Sequence, residues 1–241
     1  PLMLRILKRF ISDKLRYEPL VGTTSVRTAI DRAKREGRPY CPPDEGDLLF
    51  TLIRANRYRR CLETGFHTGS SALYLLTAID TRDGDVTSIC VDDDETVAHG
   101  LQLLEGAGFR ERHRLMRVNS NRALPELLLD GEKFDLIFMD GWKTFDHLAF
   151  EVYAFNQLLE TGGTIVFDDA YMPSVRMAIR LLVRYYDYEE IDYMAHNQSG
   201  SRRLFQILTR RSLRRPYRAL TKTIDTNSQA PFLDWHFFRR V

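Results

Sequence analysis

Acidic side chains and a lysine form the most chemically informative group in this sequence. Asp140 and Lys143 follow one apolar run, and Asp168 and Asp169 follow the next one along the chain. If the two runs are neighbouring parallel strands, their carboxyl ends meet at one edge of a sheet and the acidic side chains come together there. Clustered carboxylates repel one another unless protons or a cation intervene. The group therefore predicts either a divalent-cation site or carboxylates bonded to backbone N–H groups, one of them a general base.

A glycine-rich turn is the second candidate site. Gly65 and Gly69 stand between an apolar run that ends at Glu63 and a helical pattern. Glycine allows positive φ and a close approach of a ligand to the backbone, and a helix N-terminus presents free N–H groups. The spacing is neither G-x-G-x-x-G nor that of a P-loop, which argues against a dinucleotide or nucleoside triphosphate site. The acidic residue before the first glycine can pair with a cation, such as the ammonium of an amino acid.

This turn resembles the first motif of the class I S-adenosylmethionine (SAM)-dependent methyltransferases, which reads acidic-x-Gly-x-x-x-Gly-x-Ser. The resemblance covers about residues 44–209 and implies SAM as the cofactor, with its methionine part inside the turn. The cofactor-binding residues that the resemblance implies are Glu63, Gly65, Phe66, His67, Gly69, Ser70 and Ser71 on the turn and Asp92, Asn119 and Asp140 after the later strands.

Two positions depart from the family pattern. Members of the family carry an acidic residue at the end of the second strand, where it bonds the ribose hydroxyls, but the most direct register puts Cys90 there. A thiol is a poor hydrogen-bonding partner for a diol, so we prefer a shifted register with Asp92 as the ribose ligand. In the alternative, the acidic run 92–94 only caps the next helix. Asn119 stands where a Gly-Asp pair often bonds the adenine amine, and it still offers an acceptor.

The acidic group resembles that of the catechol and caffeoyl-coenzyme A O-methyltransferases, which bind Mg²⁺ there. The resemblance implies Asp140, Asp168 and Asp169 as metal ligands and Lys143 as the base that deprotonates the acceptor hydroxyl. A similar group of bacterial small-molecule methyltransferases commonly has His in place of this lysine, which leaves the base and the acceptor open. Nearby carboxylates favour a charged lysine, so Lys143 either relies on a bound cation to act as a base or simply pairs with the carboxylates. His147, one helical turn further on, either shares the role of Lys143 or is structural.

These residues predict a metal-assisted O-methyltransferase for a small hydroxylated molecule. A bound cation would hold the acceptor oxygen near the methyl group of the sulfonium and lower the pKa of the acceptor hydroxyl. Two alternatives remain: a metal-independent N- or O-methyltransferase for a sugar or natural product, and a catalytically silent SAM-binding module.

The elements that position these residues follow an alternating pattern. From residue 44 onward, strand-like apolar runs alternate with longer helical patterns, which predicts a Rossmann-like α/β domain over residues 44–209. Its sheet is predicted to be doubly wound, seven-stranded and mostly parallel. The run 134–139 is apolar at nearly every position, which is typical of a strand covered on both faces. The last two strands, at 189–194 and 203–208, are predicted to form an antiparallel C-terminal hairpin.

Two segments flank the predicted domain. Residues 1–43 form a predicted helical extension that begins with an amphipathic pattern, Leu2–Leu15. Residues 210–241 combine basic residues at helical spacing with an aromatic tail, 231–241. The basic stretch predicts a solvated helix face rather than a nucleic-acid site, since no RNA-binding motif accompanies it. The aromatic tail predicts docking on the domain or across a homodimer interface.

The composition sets the remaining limits. The chain has 241 residues, 44% of them hydrophobic, and a formal net charge of +2, which fits one globular domain without a global attraction to nucleic acid or anionic membranes. No run reaches the roughly 18 apolar residues of a membrane span. The three cysteines, Cys41, Cys61 and Cys90, have no metal-ligand spacing and predict reduced core thiols in a cytoplasmic protein.

Overall fold

The computed structural model describes residues 24–79, 83–191 and 216–223, which form a sheet between two layers of helices. The strands are β1 (Arg60–Thr64), β2 (Asp85–Ile89), β3 (His113–Met116), β4 (Phe134–Met139), β5 (Leu159–Phe167), β6 (Tyr188–Ile191) and β7 (Arg218–Lys222). The helices are α1 (Thr24–Arg35), α2 (Pro43–Asn56), α3 (Ser70–Ala78), α4 (Asp94–Gly106), α5 (Ser120–Leu129), α6 (Phe145–Leu158) and α7 (Pro173–Tyr185).

The sheet is seven-stranded in these described ranges, with the order β3-β2-β1-β4-β5-β7-β6. The first five strands are parallel, and β7 runs antiparallel to both β5 and β6. This arrangement confirms the predicted Rossmann-like class and the antiparallel pair at the end of the chain. The strand order reverses between β1 and β4, so the carboxyl ends of these strands open the crevice in which ligands of such sheets bind.

The seventh strand comes from a segment in which no strand was predicted. β7 lies in the basic stretch that helical spacing assigned to the extension 210–241, and the predicted strand 203–208 lies outside the described residues. The last residue of β7, Lys222, is buried, and its Nζ donates to two backbone carbonyls. The helical interpretation is therefore wrong for Arg218–Lys222, and the sheet extends past the predicted domain end at residue 209. Backbone pairing with two neighbouring strands decides this segment, and side-chain periodicity does not report such pairing.

Side chains point alternately to the two faces of the strands, which produces two apolar layers. In β4, Leu136 and Phe138 pack with α2, α3 and α4, whereas Ile137 and Met139 pack with α5, α6 and α7. All four side chains are completely buried, as the apolar run 134–139 predicted. Burial of each such side chain contributes about 1.5–3 kcal/mol to folding, so this central strand fixes the edge that carries the candidate site.

The structure bears on the predictions for the cysteines, for membrane spans and for part of the N-terminal extension. Cys41, Cys61 and Cys90 are buried free thiols. In the portion of the chain that the structure covers, no helix combines the length and the apolar character needed to cross a bilayer. α1 lies within the predicted N-terminal helical extension. The amphipathic segment Leu2–Leu15 and the aromatic tail 231–241 lie outside the described residues.

Candidate active site

The glycine-rich turn joins β1 to α3 at the crevice. Gly65 has a φ of 96°, and a Cβ atom at this position would lie 2.5 Å from the carbonyl oxygen of Asp140. Gly69 has a φ of 72°, and a Cβ atom there would lie 3.1 Å from Gly100 and from the ring of Phe66. Both glycines are therefore required by backbone conformation and by close packing.

Glu63, on β1 just before this turn, is completely buried. Its Oε1 accepts a hydrogen bond from Ser88 Oγ at 2.7 Å, and its Oε2 has no hydrogen-bond partner within the described segments. Burial raises the pKa of Glu63 to about 7, although the hydroxyls of Ser88 and Ser71 act to lower it. The second carboxyl oxygen is therefore buried without a hydrogen-bond partner, and the contact of Glu63 with a cation in the turn stays a prediction.

Phe66 and Ser70 anchor the turn to its surroundings. The buried ring of Phe66 stacks on His113, with 4.9 Å between ring centroids. Ser70 Oγ accepts a hydrogen bond from the backbone N–H of Cys41 at 2.8 Å, which ties the start of α3 to the segment before α2. These contacts assign both residues a part in holding the turn, and their direct contact with a cofactor stays a prediction.

The carboxylate of Asp92 contacts the same turn. It accepts a hydrogen bond from the backbone N–H of His67 at 3.0 Å and lies 3.0 Å from the Nδ1 of the same residue. Asp93, not Asp92, caps α4 by accepting from the backbone N–H of Thr96. Cys90 is a buried thiol whose pKa is raised by burial. The capping alternative therefore applies to Asp93, and the ribose contact of Asp92 stays a prediction.

Asp140, Lys143 and Asp168 meet after β4 and β5, beside the turn. Lys143 Nζ lies 3.1 Å from Asp140 Oδ1 and 3.9 Å from Asp168 Oδ2, and the lysine side chain is only 12% exposed. Burial and the neighbouring Asp140 raise the pKa of Asp168 to about 6, while Lys143 acts to lower it. Of the two interpretations of Lys143 that the sequence left open, pairing with the carboxylates matches this geometry.

The third residue of the predicted metal site, Asp169, has a different environment. Its backbone is in the left-handed region with a φ of 50°, and its carboxylate interacts with Tyr171, whose pKa it raises. Across the described ranges, no group of three or more His, Cys, Asp or Glu side chains is arranged to hold a metal ion. Because Lys143 already balances Asp140 and Asp168, these residues do not fit a divalent cation as they are placed. Adjacency in sequence does not put two side chains on the same side of a turn, since the backbone angles decide their directions.

The structure does not bring His147 to Lys143. His147 Nε2 lies 2.9 Å from Ser120 Oγ and 3.1 Å from Oε1 of the buried Glu151, whose carboxylate raises the pKa of the imidazole. Because α6 begins at Phe145, Lys143 precedes the helix, and the spacing of four residues does not put the two side chains on one helix face.

Asn119 and Ser120 lie at the start of α5. Asn119 is exposed, and its Oδ1 accepts a hydrogen bond from the backbone N–H of Asn121 at 3.0 Å, so it caps the helix. Ser120 is buried, and its Oγ contacts Nε2 of His147. The predicted adenine contact of Asn119 therefore competes with a capping hydrogen bond, and it remains a prediction.

A further carboxyl group, which was not identified from the sequence, lies near Asp140 and Asp168. Glu45, in the first turn of α2, is 2% exposed. Burial, followed by the charges of Asp168 and Asp140, raises its pKa to about 10, so the group is neutral at physiological pH. A signal was available: Glu45 precedes Leu48 and Leu49 by three and four residues, which puts it on the buried face of the helix.

Comparisons with known proteins agree with this architecture. Residues 62–170 match the family described as "Methyltransferase domain". The chain is 30% identical over 132 residues to a caffeoyl-CoA O-methyltransferase of Populus kitakamiensis, which is 53% of this chain and 54% of that enzyme, so the match spans about half of the plant enzyme. It is also 30% identical over 171 residues to a protein of Mycobacterium sp. (strain JLS) that is named as an O-methyltransferase, which is 65% of this chain and 76% of that protein.

The fold has counterparts among solved structures. An O-methyltransferase from Bacillus cereus in complex with SAH superposes with a TM-score of 0.65 at 16% sequence identity, covering 90% of this chain and 97% of that one. At this level of identity the likeness establishes the shared fold. The bacterial relative and the domain match show that the chain belongs to the class I SAM-dependent O-methyltransferase family, and the shared fold and the glycine-rich turn after β1 agree with this.

Proposed function

We propose that this protein transfers the methyl group of SAM to a hydroxyl group of a small acceptor, and that Lys143 rather than a divalent cation balances the carboxylates at the reaction site. The observation that carries this proposal is the ion-paired ammonium of Lys143 between Asp140 and Asp168. A single fixed positive charge beside the acceptor stabilises an oxyanion that develops in the transition state. The metal-assisted mechanism predicted from the sequence is the alternative that the experiment below tests.

The glycine-rich turn suits the cofactor in this proposal. The unpaired Oε2 of Glu63 is the candidate partner for the ammonium of the methionine part, and the positive φ angles of Gly65 and Gly69 shape the turn that would surround it. Asp92 lies at the other side of the turn, through its contacts with His67, and is the candidate for the ribose hydroxyls. These assignments put the sulfonium between the turn and the acidic pair after β4 and β5.

The proposed reaction is a displacement at the methyl carbon. The acceptor oxygen forms a bond to the methyl carbon as the carbon–sulfur bond breaks, and the bonding electron pair stays on sulfur, which yields S-adenosylhomocysteine (SAH). The hydroxyl proton of the acceptor passes to the carboxylate of Asp168, whose raised pKa of about 6 makes it a stronger base than an ordinary aspartate while it is still ionised near neutrality. Lys143, as an ion-paired ammonium, donates a hydrogen bond to the acceptor oxygen.

Exposed aromatic side chains next to the acidic group favour a flat acceptor. Trp142 and Tyr171 are 68% and 54% exposed, and they follow Asp140 and Asp169 by two residues each. Aromatic side chains of this kind stack on planar rings. The plant relative is named for a caffeoyl thioester, which carries a hydroxylated ring. We therefore propose a small phenolic compound as the acceptor class.

The test compares the charge of Lys143 with its capacity to act as a base. Lys143→Arg keeps the charge but cannot accept a proton, and Lys143→Met removes both. We expect SAH formation with a panel of phenolic acceptors to survive EDTA, to fall less than about tenfold in Lys143→Arg and to fall about a hundredfold in Lys143→Met, with SAM affinity little changed. Lys133→Met, at a lysine that donates to a backbone carbonyl elsewhere, is the matched control.

Each other outcome identifies an alternative. Activity that EDTA abolishes and Mg²⁺ restores would support the metal-assisted mechanism. Full activity in Lys143→Met would contradict the role of the ammonium. SAM binding without turnover on phenols, aliphatic alcohols, sugars or amines would support the catalytically silent module.

We also propose a location and an oligomeric state for the protein. The buried free thiols are consistent with the reducing environment of a cytoplasmic protein. A homodimer through the terminal extensions stays a prediction, as does the domain boundary at residue 43. Gel filtration coupled to light scattering would measure the oligomeric state directly.

A further inference from the structure

A buried chain of hydrogen bonds connects the cofactor turn to the edge of the sheet. Glu63 on β1 lies opposite Ser88 on β2, and Ser88 Oγ is 2.7 Å from Glu63 Oε1. The same hydroxyl is 2.7 Å from Nε2 of His113, the first residue of β3. All three side chains are buried, and the ring of Phe66 from the turn stacks on His113. The reaction proposed above uses neither Ser88 nor His113.

The hydroxyl proton of Ser88 lies between two possible acceptors. An ionised Glu63 only accepts, so Ser88 donates to it and His113 donates to Ser88 through Nε2–H. A protonated Glu63 donates to Ser88 Oγ instead, and Ser88 then donates to an unprotonated Nε2. A neutral imidazole can meet Ser88 through Nε2 in both arrangements by a change of tautomer, and its buried Nδ1 has no hydrogen-bond partner among the described residues in either one. Burial lowers the pKa of His113 to about 4, so the ring is neutral at physiological pH.

At the Glu63 end of this hydrogen-bond chain, one carboxyl oxygen lacks a partner that a ligand could supply. Oε2 of Glu63 is completely buried and has no hydrogen-bond partner among the residues described, although the hydroxyl of Ser71 is close enough to the carboxyl group to lower its pKa. A buried carboxyl oxygen without a partner is costly unless a ligand supplies one. An ammonium that enters the turn satisfies it and favours the ionised form of Glu63.

We propose that Ser88 and His113 are positioning residues for the cofactor: they hold Oε1 of Glu63 and adjust their proton arrangement so that Oε2 receives the ammonium of SAM, with release of the Glu63 proton to solvent. This inference rests on the proposed function, because SAM supplies the ammonium. The step breaks only the O–H bond of Glu63, and the cofactor keeps its own charge.

Other ionisable groups surround Glu63, so the source of a pH effect has to be identified with variants. Burial raises the pKa of Glu63, and the carboxylate of Asp140 after β4 adds to this increase. The groups that face Glu63 are His113 on β3, Asp140 after β4, Cys41 before α2, Cys61 on β1 and Cys90 after β2.

Calorimetric titration of the full chain with SAM and with SAH, between pH 6 and 8, tests the inference. We expect affinity to increase with pH through about 7, and the binding heat at pH 6 to depend on the ionisation heat of the buffer as release of close to one proton requires. In Ser88→Ala the affinity at pH 7 should fall roughly tenfold and the midpoint of its pH dependence should move upward. His113→Leu should likewise lower the affinity and move the midpoint of the pH dependence upward. His113→Gln, which retains an N–H donor, should restore most of the affinity.

A control and two contrary outcomes complete the design. Thr164→Val removes another buried hydroxyl, which contacts Tyr58, and should leave affinity and its pH dependence unchanged. If wild-type protein binds neither SAM nor SAH, the proposed function fails. If it binds both but releases no proton, and His113→Leu and Ser88→Ala behave like wild type, only this inference fails. Should Ser88→Ala not fold, the proton count and the two His113 variants decide the question.

Discussion

Side chains of opposite charge lie together at the carboxyl ends of β4 and β5. Lys143 Nζ lies within 3.9 Å of carboxylate oxygens of both Asp140 and Asp168. Glu45, although it is near the same pair, is held neutral by burial and by their charges. Lys143 therefore pairs with two carboxyl groups, while the third carboxyl group nearby is neutral. This arrangement supports the proposal that Lys143, rather than a divalent cation, balances the acidic cluster.

At the same scale, Gly65 decides whether the cofactor turn can form. In Gly65→Ala the new methyl group meets the carbonyl oxygen of Asp140 at 2.5 Å in a backbone with φ of 96°. We expect SAM affinity to fall at least about a hundredfold, because the turn must move away from β4 and takes Glu63 with it. The measurement is calorimetric titration, with thermal unfolding alongside.

Gly162→Ala is the matched control for this substitution. Gly162 has a comparable φ of 85°, but a Cβ atom there would have nothing within 4 Å. It should therefore cost stability of about 1 kcal/mol and leave SAM affinity unchanged. Similar losses of affinity in both variants would mean that the left-handed conformation alone, and not the contact with Asp140, requires glycine.

Among the elements, α2 brings an unexpected side chain to the site because it packs tightly on α3. A Cβ atom at Gly46 would lie 2.3 Å from the ring of Tyr74, so only glycine lets the two helices approach this closely. The same approach carries Glu45 to the acidic pair. The pairing of β1, β2 and β3 likewise brings distant residues together, since each strand contributes one side chain to the hydrogen-bond chain from Glu63 to His113.

The burial of Glu63, on the first of the three strands, predicts a pH-dependent stability for the ligand-free protein. The pKa of Glu63 is raised from 4.5 to about 7, so the folded state binds its proton more tightly than the unfolded chain does. Its contribution is fully present below pH 4.5 and is lost as the pH rises to about 7, by roughly 3 kcal/mol in all. Denaturant unfolding should show the stability of wild type relative to Glu63→Gln falling over this range.

An exposed glutamate is the control for this pH dependence. Glu95→Gln alters a side chain that is 83% exposed, and its stability relative to wild type should change little across the same pH range. A difference between wild type and Glu63→Gln that stays constant from pH 5 to pH 8 would contradict the buried, proton-binding Glu63.

For the whole molecule, β7 completes the sheet among the described residues. It lies between β5 and β6 and pairs with both, so β6 is joined to the rest of the sheet through a strand that comes later in the chain. Ala219 and Leu220 of β7 are completely buried and belong to the two opposite apolar layers. Removal of this strand exposes both layers at once.

Truncation measures this dependence. A chain that ends at residue 215 should lose cooperative thermal unfolding and SAM binding, since β5 then loses its neighbour and both apolar layers are exposed to water. A chain that ends at residue 223 keeps β7 and should retain both properties. Equal behaviour of the two chains in circular dichroism and calorimetry would show that β7 is dispensable.

Much of the fold and the cofactor turn was predictable because the signals are local. The apolar run 134–139 indicates a strand buried on both faces, and the alternation of strands and helices indicates a doubly wound sheet. The motif from Glu63 to Ser71 requires glycine at defined positions because of backbone angles, which are a property of the residues themselves. These features depend on neighbours within a few residues, so the sequence alone determined them.

Only the tertiary structure decided the features that depend on distant residues. Lys143 balances Asp168, Glu45 reaches the acidic pair, and Ser88 links Glu63 to His113 across three strands. Local sequence patterns do not predict these distances, because the interactions join atoms that are far apart along the chain. The same reason applies to β7, whose place in the sheet depends on backbone hydrogen bonds to β5 and β6 and not on its own side-chain pattern.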